Sequence, residues 1–173
     1  SSQINPDSQI DDARKPMEKP NKNDNISKID PPTPRDDLKE NENTTETTKI
    51  EGRRKEFIEK LDNIQKELDA MPVKKDSDAG LTSAMRNYYG LSYEKYDEAL
   101  NEIYALLKEE LSQETMDDLK SKQLKWIELK EAAAREAEAE FEGGTFQFVA
   151  GYISLYNSTK EKCYELVNEY LTD

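Results

Sequence analysis

Tyr96-Asp97-Glu98-Ala99-Leu100-Asn101-Glu102-Ile103-Tyr104-Ala105-Leu106-Leu107 carries large apolar side chains at Tyr96, Leu100, Ile103 and Leu107, and Leu111 extends the series. The steps are three or four residues, the spacing that lines one face of an α-helix and that a strand would scatter over both faces. Amphipathic helices, not strands, are therefore the expected building units.

The same period recurs on both sides. Phe57, Leu61, Ile64, Leu68 and Met71 mark a helix over Arg53–Ala70, stopped by Pro72, since the residue before a proline is pushed out of the α region. Lys74-Lys75-Asp76-Ser77-Asp78 reads as a polar linker. A short helix over Leu81–Tyr89 follows, with Gly90 as a left-handed cap and Ser92 as the N-cap of the Tyr96 helix, which runs to Leu111. Ser112 is the next N-cap, with Glu114 in a first turn whose dipole favours it. The helix it opens reaches Glu142, on a stripe of Met116, Leu119, Gln123, Trp126, Ile127, Lys130, Ala134, Ala137 and Phe141. Gly143-Gly144 ends it. Thr145 caps a last helix that carries Val149, Tyr152, Ile153, Tyr156, Cys163, Leu166, Val167 and Tyr170 and bends at Gly151. No strand is expected. Short connections between amphipathic helices predict an all-α, antiparallel helical bundle of four to five helices.

Residues 1–50 read differently. They hold six of the seven prolines and none of the fourteen aromatic residues, and their isoleucines follow no period. Such a segment buries too little surface to offset its ordering entropy. The expected organisation is a disordered, Pro-rich acidic tether over residues 1–50 and one helical domain over 53–173. A flexible coil of that length spans ~40 Å root-mean-square.

The net charge is −13, of which residues 51–173 carry −10. Phosphate backbones repel such a domain, so nucleic acid is not an expected partner, whereas a basic protein is steered toward it. There is no histidine and a single cysteine, Cys163. That removes histidine-based triads, histidine–metal sites and intrachain disulfides. No phosphate loop or zinc spacing is present, so no cofactor and no metal are expected. Cys163 sits on an apolar stripe and reads as a buried, inert thiol.

In the quoted stretch, Asp97-Glu98-Ala99-Leu100-Asn101-Glu102-Ile103-Tyr104-Ala105-Leu106-Leu107 resembles the D-x-x-L-N-x-x-Y-x-x-L motif of the LprI-type lysozyme-inhibitor family, also known as DUF1311. Gln123-Leu124-Lys125-Trp126-Ile127 resembles its Q-x-x-W-I motif, with Lys130-Glu131 where the family shows Arg-Asp. Glu142-Gly143-Gly144-Thr145 is similar to its Gly-Gly turn, and Thr159, Lys162 and Glu165-Leu166 to its closing T-x-x-R-x-x-E-L. The resemblance covers about residues 81–171. It implies a helical, non-enzymatic protein of the bacterial cell envelope, often a lipoprotein, that binds a protein such as a lysozyme-type muramidase. The cysteines that the family often carries near Met85–Tyr89, Ala133–Ala134 and Tyr152–Tyr156 are absent, so a disulfide-stapled form is excluded.

Each notable group has two readings. Asp97, Asn101 and Tyr104 form either a partner-contacting cluster or, as favoured here, a buried network that joins their helix to Lys130 or Glu131. With Leu100, Gln123, Trp126, Thr159 and Lys162 they are expected to be structural, Trp126 as a core anchor and Gln123 bonding across a helix interface. Glu131, Glu136, Glu138, Glu140 and Glu142 read first as a solvated helix face. The turn after them is the candidate binding site: Glu140, Phe141, Glu142, Gly143, Gly144, Thr145 and Phe146 put two aromatics beside carboxylates at a tip suited to a cationic protein surface. Chance carboxylate pairs on so acidic a surface do not mark glycosidase chemistry. Ile50-Glu51-Gly52-Arg53 spells a protease recognition sequence, read as coincidence. The leading expectation is an envelope protein whose acidic helical domain binds another protein, with inhibition of lysozyme as the named candidate, and with membrane contact only through a lipid anchor outside this chain. The alternatives are a scaffold bundle, oligomeric or not, and a peptidoglycan-binding module.

Overall fold

The computed structural model describes residues 46–173, and the tether expected over residues 1–50 lies outside them except for residues 46–50. The element order is β1 (Ile50–Arg53), α1 (Arg54–Asp69), α2 (Pro72–Asp78), α3 (Thr82–Glu110), α4 (Gln113–Ala139), α5 (Gln147–Tyr170) and β2 (Leu171–Thr172). Five helices in an all-α bundle agree with the expectation.

The helices are arranged around α3 and α5, which form the most extensive pair. They run parallel: Arg86 meets Phe148, Gly90 meets Tyr152, and the Tyr96 carbonyl accepts from the Cys163 thiol. Both α1 and α4 run antiparallel to them. On α1, Asp69 meets Tyr88 and Lys60 meets Glu102, while on α4 the Lys130 ammonium lies over Tyr93 and Lys162 lies over Trp126. Tyr156, Lys160 and Tyr164 of α5, spaced four apart, face α1. One core joins Phe57, Leu61 and Leu68 of α1 to Tyr96, Leu100, Ile103 and Leu107 of α3, Met116 and Leu119 of α4, and Cys163, Leu166 and Val167 of α5. A smaller cluster holds Tyr93, Ala134 and Leu155. Among the described residues no helix is long and apolar enough to cross a membrane.

Five local expectations are corrected. First, Leu81–Tyr89 is not a separate helix: α3 runs unbroken through Gly90, and Ser92 is not an N-cap but donates its hydroxyl back to the Tyr88 carbonyl at 2.7 Å. The serine satisfies itself within the helix, and the Tyr152 ring packs over Gly90 at a distance that leaves room for a Cβ. Second, the polar linker is the helix α2. Pro72 sits in its first turn, where the missing N–H has no partner to lose.

Third, there is a strand. Ile50 pairs with Leu171 and Arg53 with Thr172 in a two-stranded parallel ladder, and Gly52 N–H donates to the Thr172 hydroxyl at 3.0 Å. Ile50 is buried, and the Thr47 carbonyl accepts from Ser112 N–H, so the chain joins the domain before the expected start at Arg53. Arg54 reinforces this clasp by donating to the carbonyls of Leu171 and Asn168 at 2.8 and 3.1 Å, satisfying helix-end acceptors of α5.

Fourth, α4 ends at Ala139 rather than Glu142, and Phe141 leaves the buried stripe to stand exposed. Fifth, Thr145 caps nothing: α5 starts after Phe146, with no side-chain cap. Ser112 does cap α4, accepting from Thr115 N–H.

Candidate functional site

The turn between α4 and α5 covers Glu140–Phe146. Its backbone is closed by short-range bonds: Phe141 N–H to the Glu138 carbonyl at 3.0 Å, and Gly144 N–H to the Phe141 carbonyl at 2.9 Å. Gly143 has φ +79°, the left-handed region that favours glycine. Gly144 is needed for a different reason, since a Cβ there would lie 3.2 Å from the Phe141 carbonyl oxygen. The two glycines together let the chain reverse while Phe141 and Phe146 come back to each other. Their rings meet edge to face, with centroids 4.8 Å apart, a favoured aromatic arrangement.

Phe141 is 42% exposed, and Glu140, Glu142 and Thr145 are exposed around it. Phe146 is half-buried beneath it. The result is an apolar knob with a rigid base and a carboxylate rim. From α3, Arg86 donates to the Thr145 carbonyl at 3.3 Å and its guanidinium covers the Phe148 ring at 5.6 Å. From α5, the Gln147 side-chain oxygen accepts from Gly143 N–H at 3.0 Å. Neither Arg86 nor Gln147 is singled out by the sequence, because both act through a backbone group that only the folded turn presents.

The acidic run is not uniformly solvated. Glu136, Glu140 and Glu142 are exposed and Glu131 is half-buried, but Glu138 is buried. Burial pushes the Glu138 carboxyl above its ordinary value, and a hydrogen bond from Gln147 pulls it part of the way back. One member of the presumed solvent face thus belongs to the internal support of the turn.

The remaining sequence-marked residues lie elsewhere. Asp97, Leu100 and Tyr104 are buried on α3, and Asn101 is half-buried with its side-chain oxygen enclosed and no protein donor to it. Gln123 is buried, and its amide nitrogen finds no protein acceptor. Thr159 is fully enclosed on α5. Trp126 is half-buried between two ammonium groups, Lys130 at 5.1 Å and Lys162 at 5.5 Å from the ring centre. Lys130 is itself only 3% exposed. None of these groups reaches the α4–α5 turn's rim of exposed side chains.

What the sequence did not suggest is the hub at Gln65. Its side-chain oxygen accepts from Tyr96 OH, Tyr156 OH and the Lys160 ammonium at 3.0, 2.8 and 2.9 Å. Nearby, Tyr88 donates to Asp69 and Tyr164 to Asp62. These bonds dock α1 onto α3 and α5. Cys163 is fully buried, and desolvation drives its thiol pKa far upward. Among the described residues no group of histidine, cysteine, aspartate or glutamate side chains is placed to hold a metal ion.

A family model described as lysozyme inhibitor LprI matches residues 73–166. The match takes in α2, α3, α4 and most of α5, with the α4–α5 turn inside it; α1 and the two strands fall outside. No curated protein and no solved structure matches the chain.

Proposed function

The chain belongs to the LprI lysozyme-inhibitor family, and from that membership we propose that it is a non-enzymatic bacterial envelope protein whose α4–α5 turn engages a basic lysozyme-type muramidase. The family match over residues 73–166 carries this reading. The geometry of the turn supports it: Phe141 offers an exposed aromatic anchor of the kind that fills a pocket at an interface centre, ringed by the exposed carboxylates of Glu140 and Glu142.

The division of labour follows from charge. The net charge of −13 draws a basic enzyme in. A muramidase cleft binds a neutral-to-anionic glycan with its own carboxylates, so a knob that covers the cleft mouth blocks substrate without mimicking the reaction. Glu140 and Glu142 pair with arginines beside the cleft, while Phe141 excludes water at the centre. The protein is placed on the outer side of a bacterial membrane, where such an enzyme acts on the wall.

The test is a lysis assay with a basic c-type lysozyme at low and at high salt. Inhibition is expected, weakened but not abolished by salt, because screening removes the steering while the buried aromatic contact persists. Glu140→Ala, Glu142→Ala, Phe141→Ala and Phe146→Ala should each weaken it. Undiminished inhibition in all four removes the turn as the binding site, and no inhibition by the parent protein at low salt removes lysozyme as the target.

A further inference from the structure

We propose that Gln147 is a positioning residue for this binding turn: its side-chain amide locks Gly143 to the start of α5 and so presets the conformation in which Phe141 and Glu142 are displayed. The proposal rests on the turn being the binding surface, and it adds a mechanism for that surface's affinity.

Gln147 is the first residue of α5, yet its side chain turns back across the loop. The oxygen accepts from Gly143 N–H at 3.0 Å. That bond joins the left-handed glycine of the turn to the start of the next helix. The backbone bonds that close the turn include two longer ones at 3.3 Å, from Glu142 N–H to Ala139 O and from Gln147 N–H to Gly144 O. Gly143 is the residue with the most conformational freedom, since a glycine at positive φ has many other conformations open to it. The side-chain bond falls on that residue.

A loop tip made of small residues is ordinarily mobile. An interface built on it has to order it on binding, which subtracts from affinity, whereas a turn already held in shape does not. Arg86 acts in the same sense from α3 by holding the Thr145 carbonyl, but it bears on the far end of the turn. Gln147 bears on the glycine between the two partner-facing residues and the support.

The experiment uses the full chain and a basic c-type lysozyme. Gln147→Ala should raise the exchange rate of the Gly143 amide about tenfold or more, the loss of one protecting bond, and weaken inhibition about tenfold, mainly through faster dissociation. An unchanged Gly143 exchange rate in Gln147→Ala overturns the proposal. If Gln147→Ala inhibits normally while Phe141→Ala does not, positioning fails and the binding site stands. If Phe141→Ala and Glu142→Ala also inhibit normally, the site itself has failed.

Discussion

The side-chain oxygen of Gln65 on α1 accepts from the Tyr156 hydroxyl on α5 at 2.8 Å, while Tyr96 of α3 donates to the same atom at 3.0 Å. A helix outside the family match is thereby bonded to both helices at the heart of it. The Lys160 ammonium completes the set and lies over the Tyr96 and Tyr156 rings at 5.6 and 5.7 Å.

Removing this acceptor leaves the Tyr156 hydroxyl and the Lys160 ammonium without it in a partly buried setting, while Tyr96 keeps only its longer bond to the Leu61 carbonyl at 3.4 Å. Gln65→Leu should cost ~2 kcal/mol, the penalty for unpaired buried polar groups. Urea unfolding followed by circular dichroism measures it. A midpoint equal to that of the parent would mean that the tyrosines and Lys160 reach water or new acceptors without loss.

Gly90 and Gly143 make opposite forecasts. Gly90 lies within α3, and a Cβ there would meet Tyr152 ring carbons at 3.6–3.8 Å, ordinary contact distance. Gly90→Ala should therefore stabilise by ~0.5–1 kcal/mol, by limiting the unfolded chain and restoring helix propensity. Gly143 has φ +79° with open space around it, so Gly143→Ala is strained by backbone alone and should destabilise by ~1 kcal/mol. Thermal melts of the two variants should move in opposite directions. A shift of the same sign in both would contradict the assignment of these two conformations.

The helical period made most of the bundle legible. Tyr96, Leu100, Ile103 and Leu107 are all at or near zero exposure, as their spacing demands. What stayed hidden was non-local. Gly90 followed by Ser92 is locally indistinguishable from a helix end and a new N-cap, and only packing against α5, where Tyr152 lies over Gly90, shows the helix running through. The ladder of Ile50 and Leu171 joins segments 121 positions apart through too few residues to show a period. Gln65 reads as one more polar residue on a helix, because its role depends on tyrosines from two other helices. The turn was legible in its aromatics and glycines, which announce themselves by type, but not in Gln147, Arg86 or the burial of Glu138.

Cys163 should be chemically silent in the native protein. It is fully enclosed, its thiol donates to the Tyr96 carbonyl at 3.3 Å, and burial together with the nearby Asp97 charge keeps it protonated at neutral pH. The thiolate is the reactive form. Labelling by a disulfide reagent at pH 7–8 should then follow the rate of opening of the bundle and become immediate only in denaturant. Fast, stoichiometric labelling of the native protein would show that the α3–α5 contact breathes far more than its packing implies.

Glu138 makes stability depend on pH in a direction opposite to that of a paired surface carboxylate. It is 6% exposed, and burial raises its carboxyl above the ordinary value even with the bond from Gln147. Folded Glu138 thus holds its proton to higher pH than unfolded Glu138, which ionises near ~4.3. Its favourable contribution is complete below that unfolded value and is lost as pH rises through the folded one. Glutamine has nearly the same shape, can still accept from Gln147 and carries no charge to desolvate. Glu138→Gln should match the parent below about pH 4, where both side chains are neutral, and melt at a higher temperature at pH 7. Glu140→Gln, on an exposed neighbour, controls for the general relief of removing one negative charge from an acidic protein. A Glu138→Gln gain at pH 7 no larger than that control would show that the Glu138 carboxylate is hydrated in the folded state, and that the support beneath the α4–α5 turn is wetter than its burial indicates.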